Sequence, residues 1–256
     1  MVVADLHVHT TNSDGTLTLE TLPAAAEAAD VSAVAVTDHD RLHPWLSTPV
    51  ATIGGITVVH GIELRVDAGE RRVDLLGYGA ERTPALESLI ERLQTDREER
   101  GRNIIERVES RLDVELPVEP RAGLGRHHIA RAIASVSEYG YGEAFEELIG
   151  DGRPCYVPRE IPPFDDGVDV LRDACGLVSL AHPYRYDDPA AALELCSELD
   201  AVERFYPYDR EVDLRVIERA IERYGLLVTG GSDAHDERLG VAGLELDEYR
   251  AFRAAL

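Results

Sequence analysis

Met1-Val-Val-Ala-Asp-Leu-His-Val-His-Thr-Thr-Asn-Ser-Asp-Gly15 is the stretch on which the fold turns. The apolar run from Val2 to Leu6 predicts a short buried strand. Side chains alternate along a strand, so His7 and His9 leave its end on one face. Asp14 follows in a Gly-containing turn that can fold back toward both rings. Two imidazoles and a carboxylate suit a borderline divalent cation, because neutral imidazole binds Zn and Mn while the carboxylate offsets charge. Taken alone, the pair reads equally well as two half-buried histidines at a strand end. The recurrence of ligand-type residues at later strand ends separates the two readings.

Ala33-Val-Ala-Val-Thr37 predicts the next buried strand and runs into Asp38-His39, and Ile56-Thr-Val-Val-His60 runs into Gly61-Ile62-Glu63. Val73-Asp-Leu-Leu-Gly77 is a fourth strand with Asp74 inside it, where a carboxylate is costly without a partner. Leu177 to Ala181 leads to His182-Pro183, Ala201-Val202 to Glu203, and Leu226 to Thr229 into Gly230-Gly-Ser-Asp-Ala-His235. Helical patterns fall at 18–29, 189–199 and 211–224, while 41–55, with Pro44, Pro49 and Gly54-Gly55, predicts a loop with at most a short helix. Strand and helix in alternation predict a parallel sheet, and the length suits a closed or distorted barrel whose site lies at the C-terminal strand ends. Five of the nine histidines fall at those ends, a concentration that random placement would not give.

Residues 84–112 carry apolar side chains at helical spacing among Glu and Arg, predicting one long amphipathic helix or a pair broken near Gly101. With helices expected over 129–136 and 143–149 and the Pro-rich stretch 154–163, this predicts a helical insertion at 84–165 within a barrel formed by 1–83 and 166–256.

The net charge is −23, from 49 acidic against 26 basic residues, and every basic residue is Arg. A hydrated carboxylate surface without Lys fits a protein working at high salt, where screening suppresses self-repulsion. Unfolding followed against salt is therefore expected to show a requirement for molar concentrations; full stability in dilute buffer would contradict this. The charge argues against a broad surface for duplex nucleic acid, which needs a basic stripe. Cys155, Cys175 and Cys196 show no close metal spacing and read as reduced core residues of a cytoplasmic protein. No apolar run reaches the roughly 18 residues of a membrane span, and no basic leader precedes the first strand.

Asp5-Leu-His-Val-His9, Ser13-Asp14-Gly15, Thr37-Asp38-His39, Gly61-Ile-Glu63, Gly125-Arg-His-His-Ile-Ala130, Ala181-His-Pro183 and Gly231-Ser-Asp-Ala-His235, in this order over nearly the whole chain, resemble the motifs of the PHP family, the polymerase and histidinol phosphatase superfamily. The resemblance implies a distorted (β/α)7 TIM-like barrel with two to three divalent ions of Mn, Zn or Fe. Carried over, the first ion falls to His7, His9, Glu63 and Asp233. The second falls to Glu63 as a bridge with His128 and the residue at 74, and the third to Asp14, His39 and His235. Asp74 stands where many relatives have His before Leu-Leu-Gly-Tyr. It remains a competent oxygen ligand with a harder preference such as Mn, and a carboxylate buried in a strand needs some cation nearby.

Phosphate ester hydrolysis needs hydroxide at neutral pH and a sink for negative charge, and clustered divalent metals supply both. In so acidic a chain only a local cation cluster reverses the field for a phosphate. Arg126, beside His128, is a candidate phosphate clamp through its bidentate fork, and His182 a candidate phosphate contact or general acid to the leaving oxygen. Glu203 and Asp38 are candidates to orient ligand histidines. The order of motifs around the insertion resembles the stand-alone members acting on nucleoside 3′,5′-bisphosphates and short RNA 5′ ends, in which the insertion caps the site; the expected partner is a small phosphorylated substrate, a nucleotide. Histidinol-phosphate hydrolysis is the nearest alternative. A binuclear amidohydrolase commonly needs a carbamylated Lys, which this chain lacks. An inactive metal-holding domain is the non-enzymatic alternative.

Overall fold

The computed structural model describes all 256 residues. It divides into two compact units, Met1–Ser88 with Ile161–Leu256, and Leu89–Glu160.

The larger unit is a distorted α/β barrel. Strands β1 (Ala4–Val8), β2 (Ala33–Val36), β3 (Val50–Ile53), β4 (Ile56–Asp67), β5 (Arg72–Tyr78), β6 (Leu177–Leu180), β7 (Ala201–Phe205) and β8 (Leu227–Gly230) form one sheet in the order β1-β2-β4-β5-β6-β7-β8, with β3 beside β4. The segment after β8 returns to β1, His9 N–H donating to Ala234 O at 2.9 Å and Ala234 N–H to His7 O at 3.1 Å. β1 is buried along its whole length, as its apolar start requires, so Asp5 and His7 point into the barrel with no water to satisfy them.

The sheet is not wholly parallel. β5 runs antiparallel to both β4 and β6, because β4 continues to Asp67 and turns straight back through residues 68–71 instead of crossing over through a helix. The expected loop at 41–55 also holds a strand. β3 and the start of β4 form a tight hairpin whose two turn residues, Gly54 and Gly55, have φ of 56° and 91°. Such a turn needs positive φ at both central positions, which glycine supplies without strain. Two glycines between short β-branched runs carried that signal.

Helices α1 (Leu22–Ala28), α5 (Phe164–Ala174), α6 (Pro189–Glu194), α7 (Arg215–Tyr224) and α8 (Leu246–Ala255) belong to the barrel unit. The helical unit holds most of α2 (Pro84–Leu112), α3 (Arg126–Val136) and a short α4 (Tyr141–Glu143) that continues as a π-helical turn, Ala144–Ile149. α2 is one unbroken helix. Gly101 lies inside it because Leu124 packs there: a Cβ at 101 would stand 2.3 Å from Leu124 Cδ2. Ile104, Val108, Ile129, Ile133 and Leu148 form this unit's core. No helix is long and apolar enough to cross a membrane. All three cysteines are free thiols.

His60, on β4, is 1% exposed and its Nε2 has no partner. Burial, with Arg82 and His43 nearby, pushes its pKa down to about 4. The unfolded chain therefore binds a proton that the folded chain refuses between about pH 6.5 and 4, so stability falls as pH drops through that window. Replacing His60 by Leu is expected to flatten this part of the stability–pH curve by an amount on the order of 3 kcal/mol, read from urea unfolding at pH 7 and pH 4.5.

Candidate metal centre

The strand ends bring His7, His9, Glu63 and Asp233 together, with ligand atoms all within 4.8 Å of one another. His7 Nε2 lies 3.4 Å from Glu63 Oε2 and 3.5 Å from Asp233 Oδ1, and His9 Nε2 lies 3.3 and 3.1 Å from the same two oxygens. His7 Nε2, both ring nitrogens of His9 and Glu63 Oε2 are buried and have no hydrogen-bond partner. Buried polar atoms are seldom left unsatisfied, and His7 Nε2 and His9 Nε2 both face Glu63 Oε2 and Asp233 Oδ1, while His9 Nδ1 lies on the Asp14 side, 3.8 Å from Asp14 Oδ1. That is the arrangement a divalent cation satisfies and a hydrogen-bond network does not.

Glu203 fixes the outer side of this group. Its Oε1 lies 3.0 Å from His7 Nδ1 and its Oε2 accepts from His182 N–H at 2.8 Å. In the neutral ring a proton on Nδ1 facing this carboxylate would leave the Nε2 lone pair toward Glu63 and Asp233, the usual way a histidine ligand is oriented. Glu203→Gln is expected to lower Mn affinity by roughly 10- to 100-fold with unchanged circular dichroism, as measured by calorimetric titration.

A second group joins His9, Asp14, His39 and His235. Asp14 Oδ2 is 3.5 Å from His39 Nε2 and 3.4 Å from His235 Nε2, and His39 Nδ1 is 2.8 Å from Glu63 Oε2. Asp38 builds the loop that carries Asp14 without touching a ligand histidine: it accepts from Thr10 N–H, Thr10 Oγ1, Asn12 Nδ2 and Ser13 Oγ. Its expected role as a histidine partner is thus replaced by one in shaping residues 10–14. Asp5, unremarked in the sequence, does the same on the other side, accepting from Ser232 N–H and Gly240 N–H and so fixing the segment that bears Asp233 and His235.

A third group joins Glu63, Asp74 and His182. His182 Nε2 is 3.1 Å from Glu63 Oε1 and 3.8 Å from Asp74 Oδ2. Asp74 already has its cation: Arg65 Nε and Nη2 donate to its two oxygens at 2.7 and 2.5 Å. Arg65 and Asp74 are directly opposite in the β4–β5 register, so the antiparallel hairpin makes the pair. The expectation that Asp74 needs a metal for want of a partner is corrected by this guanidinium. His128, carried over by resemblance to this group, belongs to the helical unit, at the start of α3, where its Nδ1 accepts from Gly125 N–H at 3.0 Å. The barrel's own third residue is His182. Arg126 is also in the helical unit, with Nη1 donating to Asp151 at 2.6 Å and its guanidinium over Tyr156 and Phe145.

Both His182, with φ of 29°, and Asp233, with φ of 50°, take up left-handed backbone geometry. Such strain persists where surrounding structure over-determines a position and concentrates at functional sites. Burial works to raise the carboxyls of Glu63 and Asp233, yet the adjoining rings, His39 and His7 for the first and His7 and His9 for the second, hold both well below the usual carboxylate range. Burial likewise opposes charge on His7, and the Glu203, Asp233 and Glu63 carboxylates outweigh it and raise the ring well above its ordinary value. The centre is an anionic, dry pocket that draws positive charge.

Residues 5–148 match the PHP domain. The chain belongs to the PHP family. It is 34% identical over 256 residues to the phosphoribosyl 1,2-cyclic phosphate 1,2-diphosphodiesterase of Eggerthella lenta, covering 91% of this chain and 94% of the relative. It is 27% identical to the 3′,5′-nucleoside bisphosphate phosphatase of Chromobacterium violaceum, covering 92% and 88%, and 29% identical to the 5′-3′ exoribonuclease Rnm of Salmonella typhimurium, covering 73% and 67%. A structure from Bifidobacterium adolescentis described as a metal-dependent phosphoesterase superposes with a TM-score of 0.79 at 23% identity, covering 98% and 96% of the two chains, and shares the PHP fold.

Proposed function

We propose that this PHP-family phosphoesterase hydrolyses phosphate esters of small nucleotides, 3′,5′-bisphosphates or the 5′ ends of short RNA, around two divalent ions. The reading rests on the buried, unpartnered Nε2 atoms of His7 and His9, both facing carboxylate oxygens of Glu63 and Asp233. One ion falls to His7, His9, Glu63 and Asp233, the other to Asp14, His39 and His235. Mixed imidazole and carboxylate donors suit Mn, Zn or Fe. Ions held there lower the pKa of water and neutralise phosphoryl oxygens.

The chain's own residues do the rest. Glu203 keeps His7 in the ligating tautomer. Asp38 and Asp5 hold the two loops that carry Asp14, Asp233 and His235. Arg65 supplies, as a fixed guanidinium against Asp74, the positive charge that a third ion would bring to the Glu63 and His182 side. We place His182 in that group as a ligand-type residue in contact with Glu63, in preference to the general-acid role. The lysine-free acidic surface is read as an adaptation to high salt.

The 34% identity to the cyclic phosphate diesterase over nearly the full length favours one second reading, a small cyclic phosphodiester as substrate. The deciding experiment follows substrate loss and product formation by chromatography with Mn in molar salt. Its substrates are 3′,5′-bisphosphates, mononucleotides, a 1,2-cyclic ribose phosphate, histidinol phosphate and 5′-phosphorylated oligoribonucleotides. Nucleotide turnover at least tenfold above the rest is the expected result, preference for the cyclic diester selects the second reading, and no turnover of any phosphate ester overturns both.

A further inference from the structure

Tyr206 stands between the metal centre and a groove on the barrel unit. Its hydroxyl donates to Asp233 Oδ2 at 2.9 Å, and its ring meets His182 edge-on at 5.4 Å and Tyr208 at 4.7 Å. Arg185, from the turn after β6, gives Nη1 to the Tyr206 hydroxyl at 3.0 Å and to Asp233 Oδ2 at 2.9 Å, while its side chain remains 53% exposed. Beyond Tyr206 lies a groove of about 620 Å³. Its lining includes Phe205, Tyr206, Tyr208 and Arg210 from the end of β7 and the segment after it, and Glu245 and Glu248 from the start of α8.

The aromatic part of the lining is held in place by hydrogen bonds. The Tyr208 hydroxyl accepts from Tyr184 N–H at 3.3 Å, Arg210 Nη2 donates to Tyr184 O at 2.8 Å, and the Tyr184 hydroxyl in turn donates to Asp213 O. Packing within the chain does not account for the groove's remaining apolar surface, since Val241 is 63% exposed along it. Two neighbouring tyrosine rings, tilted 46° to each other, with Arg210 in the groove lining and Arg185 over the Tyr206 ring, offer single-stranded nucleic acid ring faces for its bases and guanidinium groups for its phosphates. The two carboxylates suit ribose hydroxyls, which donate, and repel phosphate.

We propose that this groove holds the nucleotide adjoining the one at the metal centre in a short single-stranded RNA, Tyr206 and Tyr208 taking its base and Arg185 and Arg210 the flanking phosphates. This rests on the short-RNA branch of the nucleotide reading above and adds to it the place where the second nucleotide is held.

The test uses the full chain with Mn. It measures binding of a 3′-labelled, 5′-phosphorylated tetraribonucleotide by fluorescence anisotropy, and the ratio of kcat/KM for that tetramer to kcat/KM for adenosine 3′,5′-bisphosphate. Tyr208→Ala is expected to weaken tetramer binding and lower the ratio roughly tenfold, the scale of one lost stack. Val241→Glu, at an exposed position that leaves the fold untouched, is expected to act in the same direction. Equal losses on both substrates, no loss on either, or a change in oligomeric state that points to a second copy in the groove would each overturn the proposal. Bisphosphate turnover without tetramer binding would overturn the groove and leave the nucleotide reading standing. Tyr208-dependent tetramer binding without turnover would support the groove while that reading fell.

Discussion

Glu63→Gln is expected to abolish metal binding and turnover together, with phosphate release falling on the order of a thousandfold or more. Glu63 is the one residue present both in the group with His7, His9 and Asp233 and in the group with Asp74 and His182, and it also lies 2.8 Å from His39. The amide keeps the shape and removes the charge that offsets a bound cation. The readout need not be activity alone. An ion that binds only the folded state stabilises it by about 2.7 kcal/mol at a hundredfold excess over Kd, which in a chain of this size raises Tm by roughly 5 °C or more. The wild-type protein should show that rise with Mn, and the variant should not. Wild-type metal content in the variant, measured by elemental analysis after dialysis, would remove the assignment of the centre.

Arg65 and Asp74 carry the second large expectation, which concerns how many ions the chain holds. Arg65→Met leaves Asp74, 3% exposed, without its partner beside a second carboxylate, Glu63. Breaking a buried pair from one side costs about 3 to 5 kcal/mol, and the partly exposed guanidinium puts this case nearer 2. Added Mn should recover part of that loss by occupying the place of the guanidinium. In the double variant Arg65→Met/Asp74→His, an imidazole replaces the carboxylate and no fixed cation competes, so bound Mn per chain is expected to rise from two to three. Identical stoichiometry in the wild-type protein and the double variant would show that the guanidinium does not stand in for an ion.

Most of the centre is legible in the chain because its residues are set by strand ends. A strand fixes the direction of its side chains by alternation, so Asp5-Leu-His-Val-His9 places both rings on one face before any partner is known. The same holds for Glu63 after β4's apolar run and for the Gly230–His235 segment after β8. The barrel does the rest in a regular way, gathering C-terminal ends on one rim.

The misreadings have one source. Periodicity reports whether a segment is helix or strand but not which segment lies beside it. β5 was read as one more parallel strand, whereas the residue 68–71 turn reverses it against β4. That reversal puts Arg65 opposite Asp74, so the carboxylate read as lacking a partner has a guanidinium beside it while it still stands in one group with Glu63 and His182. Alternation from Glu63 to Arg65, combined with the turn at Ala68-Gly69-Glu70-Arg71, held the signal. His182 carries no spacing that ties it to Glu63 and Asp74, and only the pairing of β5 with β6 brings it beside them. Tyr206, Arg185 and Arg210 carry no spacing that marks them, since loops after different strands bring them together.

The sequence by itself determined which side chains reach the barrel's rim, since strand alternation and apolar runs are local properties that each segment carries alone. Only the tertiary structure decided which of them meet, and so that Asp74 lies against Arg65 as well as beside Glu63 and His182. Pairing depends on the direction and register of strands far apart in the chain, and those are set by the packing of the whole sheet.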